Sequence, residues 1–111
     1  MPKSRPTRPG QATRSSRTGR PIMVALDLLG RRWTLRVLWE LRDGPQSFRA
    51  LQERCGGLSP TVLSARLHDL RDAQIVELGE AGYRLTALGA QLFQALSPLQ
   101  SWAERWAKAT A

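Results

Sequence analysis

The stretch LSPTVLSARLHDL, residues 58–70, combines the start signal of a helix with a row of leucines. Ser59 is a typical N-cap residue, and Pro60 follows at the first helical position, where a backbone N–H is not needed. Intervals of about 100° per residue gather the apolar side chains on one face, which comprises Val62, Leu63, Leu67 and Leu70. The opposite face and its flanks are small or polar and comprise Thr61, Ser64, Ala65, His68, Arg71 and Asp72. We therefore predict a helix over residues 59–72 that is buried on one side and slim enough on the other to enter a groove.

Helical periodicity predicts three shorter helices ahead of this one. The first begins at Pro21, ends at Gly30 and has apolar positions at Ile22, Ala25, Leu26 and Leu29. The second has Thr34 as its predicted N-cap and ends near residues 43–45, with inward-facing side chains at Leu35, Leu38, Trp39 and Leu41. The third carries Phe48, Leu51 and Cys55, and we predict that Cys55 is a small core residue rather than a sensor thiol. Through the Gly56-Gly57 turn, the third helix and helix 59–72 form a helix-turn-helix.

The period changes to two after Ala73. Residues 74–78 alternate and are rich in β-branched side chains, residues 79–82 form a turn, and residues 83–85 return, which predicts a short β-hairpin, the wing. A long last helix then starts at Thr86 as its N-cap, and Pro98 predicts a kink or a break within it. Its apolar stripe comprises Leu88, Leu92, Leu96, Leu99, Trp102 and Trp106. The predicted fold is mainly α with a small β-hairpin: a winged helix-turn-helix with a long C-terminal dimerisation helix.

The net charge of +8 lies mostly in the first twenty residues. That segment has no acid and six basic residues, namely Lys3, Arg5, Arg8, Arg14, Arg17 and Arg20. The other eleven basic residues face all nine acids of the chain, which leaves +2 on residues 21–111. With so few apolar side chains, residues 1–20 are predicted to be a disordered basic arm, and residues 21–111 to be one domain. The arm either keeps the chain soluble or contacts phosphates or a minor groove, and both interpretations stand.

Composition argues against several classes of protein. No apolar run approaches the length of a membrane span, and no apolar leader is present, so we expect a cytoplasmic protein without membrane contact. One His and one Cys give no metal constellation. We also find no activated nucleophile, phosphate-binding loop or acid–base pair. We therefore predict no enzyme activity, no cofactor and no metal.

The sequence resembles the HxlR-type winged helix regulators. The matching segments are LDLLGRRWTLRVLWEL (26–41), SFRALQERCGGLSPTVLSARLHDLRDAQIVEL (47–78) and YRLTALGAQL (83–92), followed by Trp102. Their order covers roughly residues 21–106. The resemblance implies a homodimeric prokaryotic transcription factor in which the first and last helices pair and helix 59–72 enters double-stranded operator DNA. Two departures limit what the resemblance implies. Family members commonly have a Cys where this chain has Arg20, and they usually have a longer wing, so neither thiol sensing nor minor-groove contacts from the wing are carried over.

Two sets of site residues follow. The predicted DNA-binding residues are Ser59, Thr61, Ser64, Ala65, Arg66, His68, Arg71, Arg49 and Arg84. For Arg66, which projects close to the apolar face, we favour an orienting role through pairing with an acid. The predicted dimer interface comprises Ile22, Leu26, Leu92, Leu96, Leu99, Trp102 and Trp106.

Alternatives remain open for the tryptophans and for the function. Trp33, Trp39, Trp102 and Trp106 form either a pocket for a small-molecule effector of unknown identity or, as we favour, core and interface. A winged helix that binds protein, or non-specific nucleic-acid binding through the arm, are the alternatives to sequence-specific regulation.

Overall fold

A computed structural model of the chain describes residues 20–111. The predicted basic arm therefore lies outside the described residues except for Arg20, and the division of the chain at residue 20 stays a prediction. The described part forms helices and one hairpin in the order α1 Pro21–Leu29, α2 Thr34–Glu40, α3 Phe48–Arg54, α4 Pro60–Asp72, β1 Val76–Gly79, β2 Gly82–Leu85, α5 Ala87–Leu96 and α6 Pro98–Ala109. No helix among these is both long enough and apolar enough to cross a bilayer.

Local start and stop signals determine several of these boundaries. The Ser59 hydroxyl accepts a hydrogen bond from the Val62 N–H at 3.4 Å, which confirms it as the N-cap of α4. Thr86 caps α5 in the same way, accepting from the Gly89 N–H at 3.0 Å. The predicted last helix is broken at Pro98, because proline cannot donate to the preceding turn. A further cap, Ser47 on α3, was not predicted.

The start of α2 differs from the prediction. Thr34 is not its cap but its first helical residue, and its side chain is completely buried. Trp33 occupies the cap position with a φ of 77°. The buried stripe therefore runs through Thr34, Val37, Leu38 and Leu41, spaced by three and four. Leu35 lies off this stripe and is exposed, so its predicted inward orientation was wrong.

The two strands of the hairpin are antiparallel, and the turn between them is tighter than predicted. Gly79 pairs with Gly82 across the hairpin, so only residues 80 and 81 form the turn. Gln46 extends the sheet by one bridge, exchanging backbone hydrogen bonds of 2.9 and 2.8 Å with Tyr83. Gly82 is required here, because its φ is 124° and a Cβ would lie 2.5 Å from the Gln46 carbonyl oxygen.

The core lies where α2, α3, α4 and β1 meet. Its most buried apolar side chains are Val37, Leu41, Leu51, Leu63, Leu70 and Val76. Cys55 belongs to the same cluster, as predicted. Helix α5 packs directly on the start of the hairpin, since a Cβ on Gly89 would lie 2.1 Å from the Ile75 carbonyl oxygen. The core helices α2, α3 and α4, the wing and α5 thus form one packed unit that presents α4 at its surface.

Candidate nucleic-acid interface

The turn between α3 and α4 brings the two helices together as a helix-turn-helix. Gly56 and Gly57 have φ values of 77° and 81°, a conformation that glycine adopts without strain. Leu58 follows with a buried side chain and anchors the end of the turn in the core. Helix α4 then starts at the surface with its N-cap already in place. Local sequence therefore positions the helix that we predicted to enter a groove.

The outer face of α4 is slim, as its periodicity predicted. Leu63, Leu67 and Leu70 are buried beneath it. The exposed residues along α4 and at its cap are Ser59, Pro60, Thr61, Ser64, His68 and Arg71. Ala65 lies among them and is half-buried. Hydroxyl, imidazole and methyl groups on one face can form hydrogen bonds and apolar contacts to base edges.

Arg66 is turned away from this outer face. Its side chain is 22% exposed, and its Nη2 lies 3.6 Å from Oδ2 of Asp69 one turn along the same helix. Arg31, which follows α1, approaches the same carboxylate oxygen at 3.2 Å. The pairing with an acid that the sequence favoured for Arg66 is thus present in the structure.

The two other arginines predicted to bind DNA lie on neighbouring elements. Arg49 on α3 is exposed and pairs with Glu53, with Nε 3.4 Å from Oε1. Arg84 on the wing donates from Nε to Oε2 of Glu77 at 2.8 Å. Both pairs are exposed to solvent, where an ion pair contributes only about 0–1 kcal/mol. A phosphate can therefore replace either carboxylate at little cost.

Large apolar side chains are also exposed on two other helices, α1 and α6. On α1, Ile22, Met23 and Leu26 are exposed, and on α6 Leu99, Trp102 and Trp106 are exposed. The rings of Trp102 and Trp106 stack with centroids 5.4 Å apart. Leu92 and Leu96, also predicted for the dimer interface, are half-buried on α5. Large exposed apolar side chains, where they form a contiguous patch, are typical of a protein–protein contact.

The structure separates the four tryptophans. Trp39 lies beside Phe93, with ring centroids 5.9 Å apart, and lines an apolar cavity of about 280 Å³ between α2 and the α5–α6 junction. Trp33 packs against the core, and Trp102 and Trp106 stack on each other. The four rings therefore do not converge on one ligand pocket.

These features agree with comparisons to known proteins. A family model described as HxlR-like helix-turn-helix matches residues 28–111. The chain belongs to the HxlR family.

Relatives of this HxlR chain are described as transcriptional regulators. The HTH-type transcriptional regulator YodB of Bacillus subtilis is 34% identical over 89 residues, which span 74% of this chain and 80% of YodB. An uncharacterised HTH-type transcriptional regulator of Methanocaldococcus jannaschii is 26% identical over 87 residues, spanning 74% of this chain and 81% of that protein. The crystal structure of quinone-bound YodB superimposes with a TM-score of 0.70 at 33% identity, covering 76% of this chain and 96% of that one. The resemblance and the winged helix-turn-helix fold predicted from the sequence are confirmed, and the chain is a member of a family of transcriptional regulators.

Proposed function

We propose that the chain is a homodimeric, sequence-specific DNA-binding regulator whose α4 enters the major groove. The observation that carries this proposal is the slim, exposed outer face of α4, which begins at a capped helix start after the Gly-Gly turn. Thr61, Ser64 and His68 then supply hydrogen bonds to base edges, and Ala65 supplies a methyl contact. A regulator of this kind acts on the chromosome and hence in the cytoplasm.

Basic side chains around α4 supply the phosphate contacts in this proposal. Arg71 lies on the flank of α4, Arg49 on α3 and Arg84 on the wing. Contacts of this type fix the register of a protein on the duplex without reading its sequence. Arg66 is given a positioning role instead, because its guanidinium is engaged with Asp69.

The exposed apolar side chains of α1 and α6 support the homodimer. A two-fold axis through a contact formed by these helices would present two α4 helices to one duplex, and half-sites separated by about one helical turn, roughly 34 Å, match such symmetry. The operator bound by this dimer would then be an inverted repeat.

The proposal includes a small-molecule effector of unassigned chemical class. Quinone binding is described for the structure of YodB and is not transferred to this chain. In this chain the one cysteine is Cys55, which is buried in the core, and burial raises the pKa of its thiol. A buried, protonated thiol reacts slowly with electrophiles, so we do not propose Cys55 as a quinone sensor.

Selection from a random duplex pool tests the function. The full-length protein should enrich an inverted repeat, and it should bind the enriched duplex ~10³-fold or more tightly than a scrambled duplex across a salt series. Ser64→Ala should lower this preference by ~5-fold or more, since a base contact is lost. Ser101→Ala, the same change at an exposed site on α6, is the matched control and should leave the preference unchanged.

A protein-interaction module is the second candidate. It is favoured by the short wing, which exposes Leu78, and by the nearly balanced charge of residues 21–111. In that case selection would enrich no duplex, and partner binding would persist at high salt. Non-specific binding through the arm, the third candidate, would instead show equal affinity for both duplexes and collapse as salt rises.

A further inference from the structure

Four charged side chains form a continuous series of ion pairs between α1 and α4. Arg31 follows α1, with its Nη2 3.3 Å from Oδ2 of Asp27 and its Nη1 3.2 Å from Oδ2 of Asp69. Asp69 belongs to α4, and the same Oδ2 lies 3.6 Å from Nη2 of Arg66. One carboxylate oxygen is therefore shared by two guanidinium groups that come from different parts of the chain. We call these four residues the Asp69 cluster.

Most of the Asp69 cluster is shielded from water. The side chains of Arg31 and Asp69 are 10% and 17% exposed. By contrast, the surface pair of Arg42 and Asp43 has its carboxylate 72% exposed. Water screens a surface pair so that its loss changes little. Removal of one partner from a shielded pair leaves a charge that water cannot compensate, and the surrounding structure then has to rearrange.

Charge, rather than a full set of hydrogen bonds, holds the cluster together. Oδ2 of Asp69 and Nε of Arg66 are buried and form no hydrogen bond within the described part of the chain. When a buried polar network lacks some of its hydrogen bonds, its stability depends on each remaining charged partner. Neutralising Asp69 would remove the anion that Arg31 and Arg66 share while leaving both guanidinium groups in place.

We propose that the Asp69 cluster fixes the orientation of α4 relative to α1. Helix α1 carries Ile22 and Leu26 of the proposed dimer contact, whereas α4 carries the residues proposed to read DNA. The cluster thus links the dimer contact to the DNA contact and determines how the two α4 helices of a dimer meet successive turns of the major groove. Asp69 and Arg31 act as positioning residues. The consequence at DNA rests on the proposed function, whereas the orientation of α4 within one chain does not.

Asp69→Asn tests the inference, with Asp43→Asn as its matched control. Both substitutions keep the side chain's shape and remove one negative charge, but only the first removes it from a shielded cluster. The distance between the two helices is measured with spin labels at Met23→Cys on α1 and His68→Cys on α4. Cys55→Ala removes the native thiol, and dilution with unlabelled chain suppresses distances between chains. We expect one narrow distance distribution in the parent and in Asp43→Asn, and a broadened or displaced one in Asp69→Asn.

DNA binding by unlabelled chains gives the second readout. Asp69→Asn should lower the ratio of affinities for the enriched and scrambled duplexes by ~10-fold or more, and Asp43→Asn should leave it unchanged. Any general gain in affinity from the lost negative charge is common to both variants and cancels in this comparison. Asp69→Glu, which restores the charge, should recover most of the ratio.

The outcomes separate this inference from the proposed function. An unchanged distance distribution in folded Asp69→Asn overturns the inference, and so does an unchanged affinity ratio in a parent chain that discriminates between the duplexes. A parent chain that enriches no duplex overturns the proposed function, while the distance measurement still decides the role of the cluster. Should Asp69→Asn fail to fold, Arg66→Met provides the second test, because it removes one ion pair of the cluster and keeps an apolar side chain. It should change the distance distribution and the affinity ratio in the same direction as predicted for Asp69→Asn. No change in either measurement then overturns the inference.

Discussion

The environment of Cys55 shows how packing sets the chemistry of a single side chain. The residue follows α3 and lies in the core, with 3% of its surface exposed. Burial raises the pKa of its thiol above the ordinary value of 9.0, the charge of Arg36 opposes that rise, and Glu40 adds to it. At neutral pH the thiol is therefore protonated, and the side chain behaves as a small apolar group.

This raised pKa predicts a loss of stability at alkaline pH. The folded chain holds the thiol proton more tightly than the unfolded chain, so the contribution is fully present below the unfolded pKa and is lost as pH rises through the folded pKa. We expect the free energy of unfolding to fall more between neutral pH and about pH 10 in the parent than in Cys55→Ala. Denaturant titrations at both pH values measure this, because other titrating groups are common to the two proteins. Equal losses in the two proteins would contradict the prediction.

The ends of helices and strands could be predicted wherever their signals are local. Ser59 with Pro60, Thr86 and Pro98 each act on backbone groups within one turn, so their effects on α4, α5 and α6 follow from the sequence. Thr34 could not be placed in this way. A threonine ahead of an apolar stripe favours a cap, but here its burial, set by tertiary packing, makes it the first residue of the stripe.

The candidate site likewise has a part that follows from local sequence and a part that depends on tertiary contacts. Periodicity alone predicted the exposed face with Thr61, Ser64 and His68, because helical spacing fixes which residues share a face. The Asp69 cluster could not be predicted, since it requires the segment after α1 to reach α4. The only sequence signal for it was the position of Arg66 near the apolar face. Contacts between parts of the chain that are distant in sequence could therefore not be predicted.

The exposed rings of α6 predict how the proposed dimer is held together. Trp102 and Trp106 are 48% and 57% exposed, and burying the exposed part of either ring should contribute on the order of 2 kcal/mol. Combined replacement of both by alanine should weaken dimerisation by ~10³-fold or more in sedimentation equilibrium, and truncation after Ser97 should abolish it.

The opposite side of α6 offers a control for this measurement. Glu104 and Lys108 lie four residues apart there, and replacing both by alanine leaves the net charge unchanged. This variant should dimerise like the parent. A Trp102→Ala/Trp106→Ala variant that is as dimeric as the control would mean that another surface forms the dimer.

Charge is distributed unevenly over the chain as a whole. Residues 21–111 carry +2, so each domain has little excess charge for neutralising phosphates. The carboxylates of Glu53 and Glu77 also engage Arg49 and Arg84. The remaining +6 lies in residues 1–20. If the proposed function holds, affinity and specificity reside in different parts of the molecule. We then expect the arm to supply sequence-independent attraction and α4 to supply discrimination between bases.

Removal of the arm should separate these two contributions. Deleting residues 1–19 removes five basic side chains, namely Lys3, Arg5, Arg8, Arg14 and Arg17. Because the logarithm of affinity changes with the logarithm of salt concentration by about 0.9 per neutralised phosphate, the slope should become shallower by up to about 4.5 units per chain. Affinity should fall equally for the enriched and scrambled duplexes. Replacing the same five residues by glutamine keeps the length of the arm and should give the same result if charge is the cause. An unchanged slope would remove the arm from DNA binding, whereas a loss confined to the enriched duplex would mean that the arm itself reads sequence, through the minor groove.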